Sequence, residues 1–305
     1  MLKKVVFILD DERAIDEIED LADELASYGV TVCIIGMSLR NGINCRDCRD
    51  SIHFMHEKVL FNQGNSQGYT ETKEDGILYI TDNPDIHKRL ADNKFPVIIY
   101  MHDGNRDKNF SYAEYAIENI SEIEYESLKL GYLRLTGQPW TILETDRCII
   151  RESTISDVDS FYEIYKEPSI TKYMENLYAD KDEEIEYIKD YIKKVYAFYG
   201  YGMWTIIDKA SHAVIGRAGI SWREGCDIPE LGFVIAVPFQ RQGYAYEVCK
   251  AIIRYGQEEL GFSVMQALIM EGNEISKSLC MKLGFVYDEN VEIDGVWYNR
   301  MVFSK

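Results

Sequence analysis

The chain has 305 residues, 46% hydrophobic and 28% charged, with a formal net charge of −19. That length predicts two domains, each with its own core, and so strong an acidic excess excludes nucleic acid as the main partner, because phosphate recognition needs a basic face. No apolar run approaches the roughly 20 residues that cross a bilayer, so no membrane association is expected.

The chain opens "MLKKVVFILDDE" and passes from a short apolar run into acids with no small-residue cleavage site. This reads as a first strand, not a signal peptide, and a cytoplasmic location is expected. Seven cysteines, an odd number spread thinly along the chain, suit reduced thiols in such a compartment.

The first half alternates buried-strand runs with helix patterns. "KVVFILD" precedes Ile15, Ile18, Leu21, Ala22 and Leu25 at helical spacing, with Gly29 closing the helix. "VTVCIIG", "GILYITD" and "FPVIIYMHD" repeat the strand pattern, and "NPDIHKRLADNK" forms a helix between the last two. The alternation predicts an α/β domain with a Rossmann-like parallel sheet over residues 1–143. The stretch from Arg40 to Lys73 is irregular. It holds Cys45, Cys48, His53 and His56, whose spacing is cramped for a tetrahedral zinc site, so no metal is expected.

Gly137 and Pro139 interrupt the pattern, and "CIIRE" starts a second domain, residues 144–305, with an α+β rhythm. Two helical stretches, "STISDVDSFYEIYKEP" and "DKDEEIEYIKDYIKKVYAFYG", precede an antiparallel pair, "MWTIID" and "AVIGRAGISW". Then come the strand "ELGFVIAV", a helix from Gly243 to Leu260, the strand "VMQALIM", the short helix "NEISKSLCMKLG" and a closing hairpin.

The strand-to-helix passage "AVPFQRQGYAYEVCKAII" carries the functional signal. A helix start leaves N–H groups unpaired and carries partial positive charge, which makes it an anion site. Gly243 lets backbone approach a ligand, Ala245 keeps the first turn narrow and Arg241 adds a full charge. Val248, Ala251, Ile252 and Tyr255 form the stripe that seats the helix on the sheet. Neither the Gly-Lys-Ser/Thr of a P-loop nor three spaced glycines are present.

Gln240-Arg241-Gln242-Gly243-Tyr244-Ala245 matches the Gln/Arg-x-x-Gly-x-Gly/Ala signature of the GNAT superfamily of acyl-CoA-dependent N-acetyltransferases. The resemblance covers roughly residues 146–305. "RCIIRE" looks like the opening strand, "AVIGRAGIS" like the G-x-x-x-I strand and "NEISKSLCMKLGF" like the late helix. Within the superfamily the chain resembles the branch containing ribosomal-protein N-terminal acetyltransferases, which acts on varied amines. The implied fold is a mixed, mostly antiparallel sheet flanked by helices. The implied reaction moves an acetyl group from acetyl-CoA to a primary amine by direct transfer in a ternary complex. Dimers are common among such proteins.

The resemblance implies that backbone amides across Arg241 to Ala245 hold the pyrophosphate of acetyl-CoA. It also implies that Val234, Ile235, Ala236 and Val237 pair with the pantetheine arm. Asn273 either contacts the co-substrate or only caps a helix. Glu230 stands where many relatives place a glutamate and is the candidate base for the amine proton, or a solvated strand-end acid. Many relatives carry a tyrosine that protonates the departing thiolate. This sequence has Cys280 there, whose ordinary pKa near ~8.5 suits the task, with Ser276 one turn earlier as the alternative. Trp204, Trp222, Arg223, Tyr187, Tyr191, Tyr196 and Tyr199 line either an amine pocket or the core.

In the first half, "FILDDE" resembles the acidic pocket of response-regulator receivers, but the rest of that set is not found. "GILYITDNPDIHKRLADNKFPVIIYMHD" resembles a haloacid-dehalogenase-like core; Asp10-Asp11-Glu12 lacks the Asp-x-Asp nucleophile, which implies a non-catalytic, regulatory domain. Two other readings stay open: an acyl-CoA sensor without catalysis, and a phosphohydrolase fused to the second half.

Overall fold

The computed structural model describes residues 1–11, 14–36, 43–44, 75–110, 113–223 and 225–304. Cys45, Cys48, His53 and His56 lie outside them. The chain forms two compact units, Met1–Gln138 and Pro139–Lys305.

The first unit is built on strands β1 (Lys4–Leu9), β2 (Thr31–Gly36), β3 (Ile43–Asn44), β4 (Ile77–Thr81), β5 (Val97–Tyr100) and β6 (Ala116–Ile117). Their order is β3-β2-β1-β4-β5-β6. All pairs are parallel except the short β2–β3 contact. Helices α1 (Ile15–Ser27), α2 (Pro84–Asp92) and α3 (Tyr125–Leu135) connect the strands. Ile18, Leu21 and Leu25 of α1 are buried at the expected spacing against Val5, Phe7 and Leu9. Ile86 and Leu90 of α2 pack with Val6, Ile8 and Cys33 in a separate cluster. The inner strands are therefore covered on both faces, which explains their unbroken apolar runs.

At the carboxyl ends of β1 and β4 one carboxylate, that of Asp82, is spent on the backbone. The Asp10 and Asp11 amides donate to Asp82 Oδ1 and Oδ2 at 2.7 and 2.8 Å. Asn83 Nδ2 donates to Asp10 Oδ2 at 2.8 Å, while its own Oδ1 caps α2.

The second unit has an eight-stranded sheet in the order β13-β14-β12-β11-β10-β9-β8-β7. Its strands are β7 (Thr141–Glu144), β8 (Cys148–Arg151), β9 (Met203–Asp208), β10 (Val214–Ser221), β11 (Glu230–Ile235), β12 (Val264–Met270), β13 (Val286–Ile293) and β14 (Val296–Ser304). Every pair is antiparallel except β11–β12. β7 pairs with β8, so Thr141–Glu144 belongs to this sheet and not to a linker.

Helices lie on both faces. On one, α6 (Tyr244–Glu258) buries Val248, Cys249, Ile252 and Ile253 against Ile206, Leu231 and Ile235. Each of those aliphatic side chains contributes about 1.5–3 kcal/mol by leaving water. On the other face, α4 (Val158–Tyr165) and α5 (Lys181–Tyr191) cover Val234, Ala236 and Val214. A π-helical turn, Ile192–Tyr196, continues α5. It lets Tyr191 and Tyr196 both reach Met203: the Tyr191 hydroxyl accepts from its N–H at 2.8 Å, and the Tyr196 hydroxyl donates to its carbonyl. The last helix, α7 (Glu274–Lys282), follows β12.

Candidate active site

The site begins where two parallel strands part. β11 and β12 share one register pair, Glu230 with Gln266, and the Gln266 N–H donates to the Pro229 carbonyl at 2.8 Å. Buried Gln266 also sends Nε2 to the Ile228 carbonyl at 3.0 Å, which pins the vertex of the gap. Beyond the vertex β11 keeps its full ladder with β10 only.

That ladder decides which amides face the gap. The Ala236 N–H donates to Ile215 O at 2.8 Å, so Ala236 and, by alternation, Val234 spend their backbone groups on β10. The intervening residues, Phe233 and Ile235, turn theirs toward β12. Within the edge expected to pair with the pantetheine arm, Val234 to Val237, Val234 and Ala236 are therefore bonded to β10, Ile235 faces away from it, and Val237 lies in a 3₁₀ turn past the strand. Gln240 Nε2 takes the Ile235 carbonyl at 2.9 Å, leaving the Ile235 N–H for a ligand.

At the far end of the gap the chain winds into the start of α6. Gly243 is its N-cap with φ 87°, and Arg241 has φ 60°. Left-handed residues alternating with ordinary ones turn successive N–H groups inward, making a concavity that suits anions. Any side chain at Gly243 would be strained by its φ and would stand 3.5 Å from Arg147 Nη2. The loop is braced from within: Gln242 Nε2 donates to the Pro238 carbonyl at 2.7 Å.

A second brace comes from Arg147, which precedes β8. Its Nε meets Glu247 Oε2 at 2.7 Å, its Nη1 meets the Gln242 carbonyl at 3.0 Å, and its guanidinium lies 4.1 Å from the centre of the Tyr244 ring. Tyr244 is itself fixed by Asp208 Oδ1 at 2.9 Å. Burial alone would raise the Glu247 carboxyl. The Thr145 hydroxyl, the Arg147 N–H and the Arg147 guanidinium more than offset this and hold it below the usual range.

At the vertex, buried Glu230 faces the side of the sheet covered by α4. Arg223 Nε donates to its Oε2 at 2.7 Å, and Arg223 Nη2 reaches Oε1 at 3.4 Å. The hydrogen bond to Glu230 raises the Arg223 pKa against the opposing effect of burial. A methyl at Gly232, two residues on, would press on Met203 Sδ at 3.0 Å, so the Met203 side chain covers the strand there.

Asn273 is the N-cap of α7, its Oδ1 accepting from the Ser276 N–H at 3.2 Å. Its cap role is real and leaves Nδ2 available. Ser276 is half-buried in the first turn. Cys280 is fully buried in the core cluster beside Cys249, and burial pushes its thiol up to about 12. The sequence-based assignment of Cys280 as proton donor rested on an ordinary thiol pKa, and desolvation removes that basis.

The aromatic candidates divide. Trp204 and Tyr196 are core, whereas Trp222 is 44% exposed and Tyr187 and Tyr199 are also exposed. Sequence reasoning missed Phe233 and Arg147. Finding the first needs the ladder parity, and the second acts through a contact spanning 95 residues.

A parallel pair splayed at one end thus opens a gap that runs to a glycine-turned helix start. The sequence profile of the Acetyltransferase (GNAT) domain matches residues 147–286. The Bacillus subtilis (strain 168) protein "Uncharacterized N-acetyltransferase YoaA" is 30% identical over 173 residues, which are 53% of this chain and 95% of that protein. From the same organism, "Uncharacterized protein YkkB" is 30% identical over 156 residues, 50% of this chain and 88% of its own. A solved acetyltransferase from Agrobacterium tumefaciens str. C58 superposes with a TM-score of 0.47 at 19% identity, over 53% of this chain and 94% of that one. The chain belongs to the GNAT acetyltransferase family through its C-terminal half, and it is an acyltransferase. Among the described residues no helix is long and apolar enough to cross a membrane, and no three His, Cys, Asp or Glu side chains are arranged to hold a metal ion.

Proposed function

We propose that this enzyme transfers the acetyl group of acetyl-CoA directly to a primary amine within a ternary complex. The observation that carries the reading is the splay of β11 from β12 beyond Glu230 and Gln266, ending at the Gly243 helix start. The amides of Arg241 to Ala245 receive the pyrophosphate, and the free edge at Phe233 and Ile235 receives the pantetheine arm. Asn273, the N-cap of α7, is a further contact to the co-substrate on this reading.

The acceptor enters from the α4 side, where Glu230 takes the amine proton directly or through a water. Arg223 fixes one carboxylate oxygen at 2.7 Å and stands farther, at 3.4 Å, from the other, which is the one open to the proton. Collapse of the tetrahedral adduct expels the CoA thiolate toward the first turn of α7. Its N–H groups and the Ser276 hydroxyl stabilise the charge there.

For the N-terminal unit the reading is a regulatory, haloacid-dehalogenase-like core. It rests on the missing Asp-x-Asp pattern at Asp10-Asp11-Glu12.

Calorimetric titration with acetyl-CoA tests the reading. Wild type should bind, Gly243→Trp should not, and Gly243→Ala should bind more weakly, since a left-handed φ costs a non-glycine residue about 1–2 kcal/mol. A folded wild type that ignores acetyl-CoA would reduce the loop to a turn.

A further inference from the structure

The turn before β8 places a cation beside the signature loop. We propose that Arg147 is a binding residue for the co-substrate, its Nη2 donating to the diphosphate received by the Gly243 loop. The inference rests on the acetyl-CoA reading given above.

Two of the three guanidinium nitrogens are committed. Nε is on Glu247 at 2.7 Å and Nη1 on the Gln242 carbonyl at 3.0 Å, while the Tyr244 ring supports the flat face at 4.1 Å. These contacts leave the group no rotational freedom. The third nitrogen, Nη2, has no hydrogen-bond acceptor among the described residues. It stands 3.5 Å from the position a Gly243 side chain would take, at the rim of the concavity of N–H groups. The side chain is 41% exposed, so this edge of the fork is open to a ligand.

Charge makes the same case. Glu247 lies in the first turn of α6 and alone would repel an incoming diphosphate. Its pair with Arg147 cancels that field and aims a donor at the ligand in the same act. Lysine could pair with Glu247, but only the arginine fork can hold a carboxylate, a carbonyl and a phosphate oxygen together. The main-chain N–H of Arg147 also donates to Glu247 Oε1 at 3.0 Å, so the turn before β8 stays docked on α6.

The test uses the full chain with two nucleotides, CoA and 3′-dephospho-CoA, which share the diphosphate and differ in the 3′-phosphate. Arg147→Met should weaken both equally, by roughly tenfold to a hundredfold, as expected for a hydrogen bond between charged groups. The salt sensitivity of Kd should also fall, because one screened ion contact has gone. A loss confined to CoA would move the contact to the 3′-phosphate and overturn the assignment. Unchanged affinity would overturn it outright. A loss of affinity with the salt sensitivity of wild type would reduce Arg147 to a brace. If Arg147→Met does not fold, Arg147→Lys answers instead: it keeps the charge without the fork and should show a smaller loss on both nucleotides, whereas no loss overturns the idea. Wild type that binds neither nucleotide would refute the acetyl-CoA reading itself, a result distinct from all of these.

Discussion

At the scale of single residues, the second unit depends on one buried ion pair that the chemistry does not use. Arg151 holds Asp157 through both nitrogens, Nη1 to Oδ2 and Nη2 to Oδ1, each at 2.6 Å. The Thr154 N–H adds a third bond at 2.8 Å and the Thr205 hydroxyl a fourth at 3.2 Å. Burial alone would raise the Asp157 pKa, but the guanidinium and the Thr154 N–H more than offset it and leave it below its ordinary 3.8. A depressed carboxyl contributes stability that is present above its unfolded pKa and is lost as pH falls through the folded one. Asp157→Asn should therefore cost about 3 kcal/mol at pH 7, because it strands a buried charge. Urea midpoints measured down a pH series should show that deficit shrinking below pH 4 as the wild type loses the same contribution. The residues of the candidate site differ in how far they could be read from sequence. Gly243 was legible because a glycine between a strand and a helix lets backbone approach a ligand; its left-handed φ of 87° shows only in the structure. Cys280 was misread because its acidity is set by neighbours far along the chain.

Elements were legible where one period dominates. The α6 stripe and the apolar run of "ELGFVIAV" gave both type and place, the first because one helix face is buried and the second because the strand is covered on both faces. The π turn at Ile192–Tyr196 was not, because it depends on both tyrosines reaching Met203. The helix α3 was also missed; Gly131 interrupts it and it ends just before the join. The β9–β10 pairing was read correctly, yet its tightness shows only in three dimensions. A methyl group on Gly219 would fall 1.9 Å from the Gly202 carbonyl oxygen of the region next to β9, a backbone atom that cannot step aside. Gly219→Ala should thus lower stability by about 2 kcal/mol or more through forced separation of the two strands. The check is the urea midpoint, with circular dichroism to confirm that the sheet survives.

At the scale of the whole molecule, the residues named for the candidate site, from Arg147 to Cys280, all lie within Pro139–Lys305. A chain of residues 139–305 should fold and bind CoA with the Kd of the full chain. A large loss of affinity in that fragment would assign part of the site to the first unit. The division after Gln138 was only approximately visible in sequence, because Gly137 and Pro139 mark a break without saying which side β7 joins. The gap between β11 and β12 has a consequence for the folded population. A molecule bound there is held only by native chain, so it adds RT ln(1 + [L]/Kd) to stability, about 2.7 kcal/mol at a hundredfold excess over Kd. With acetyl-CoA as the proposed occupant, the fraction of this protein that survives heat or proteolysis should rise with the supply of activated acetyl groups around it.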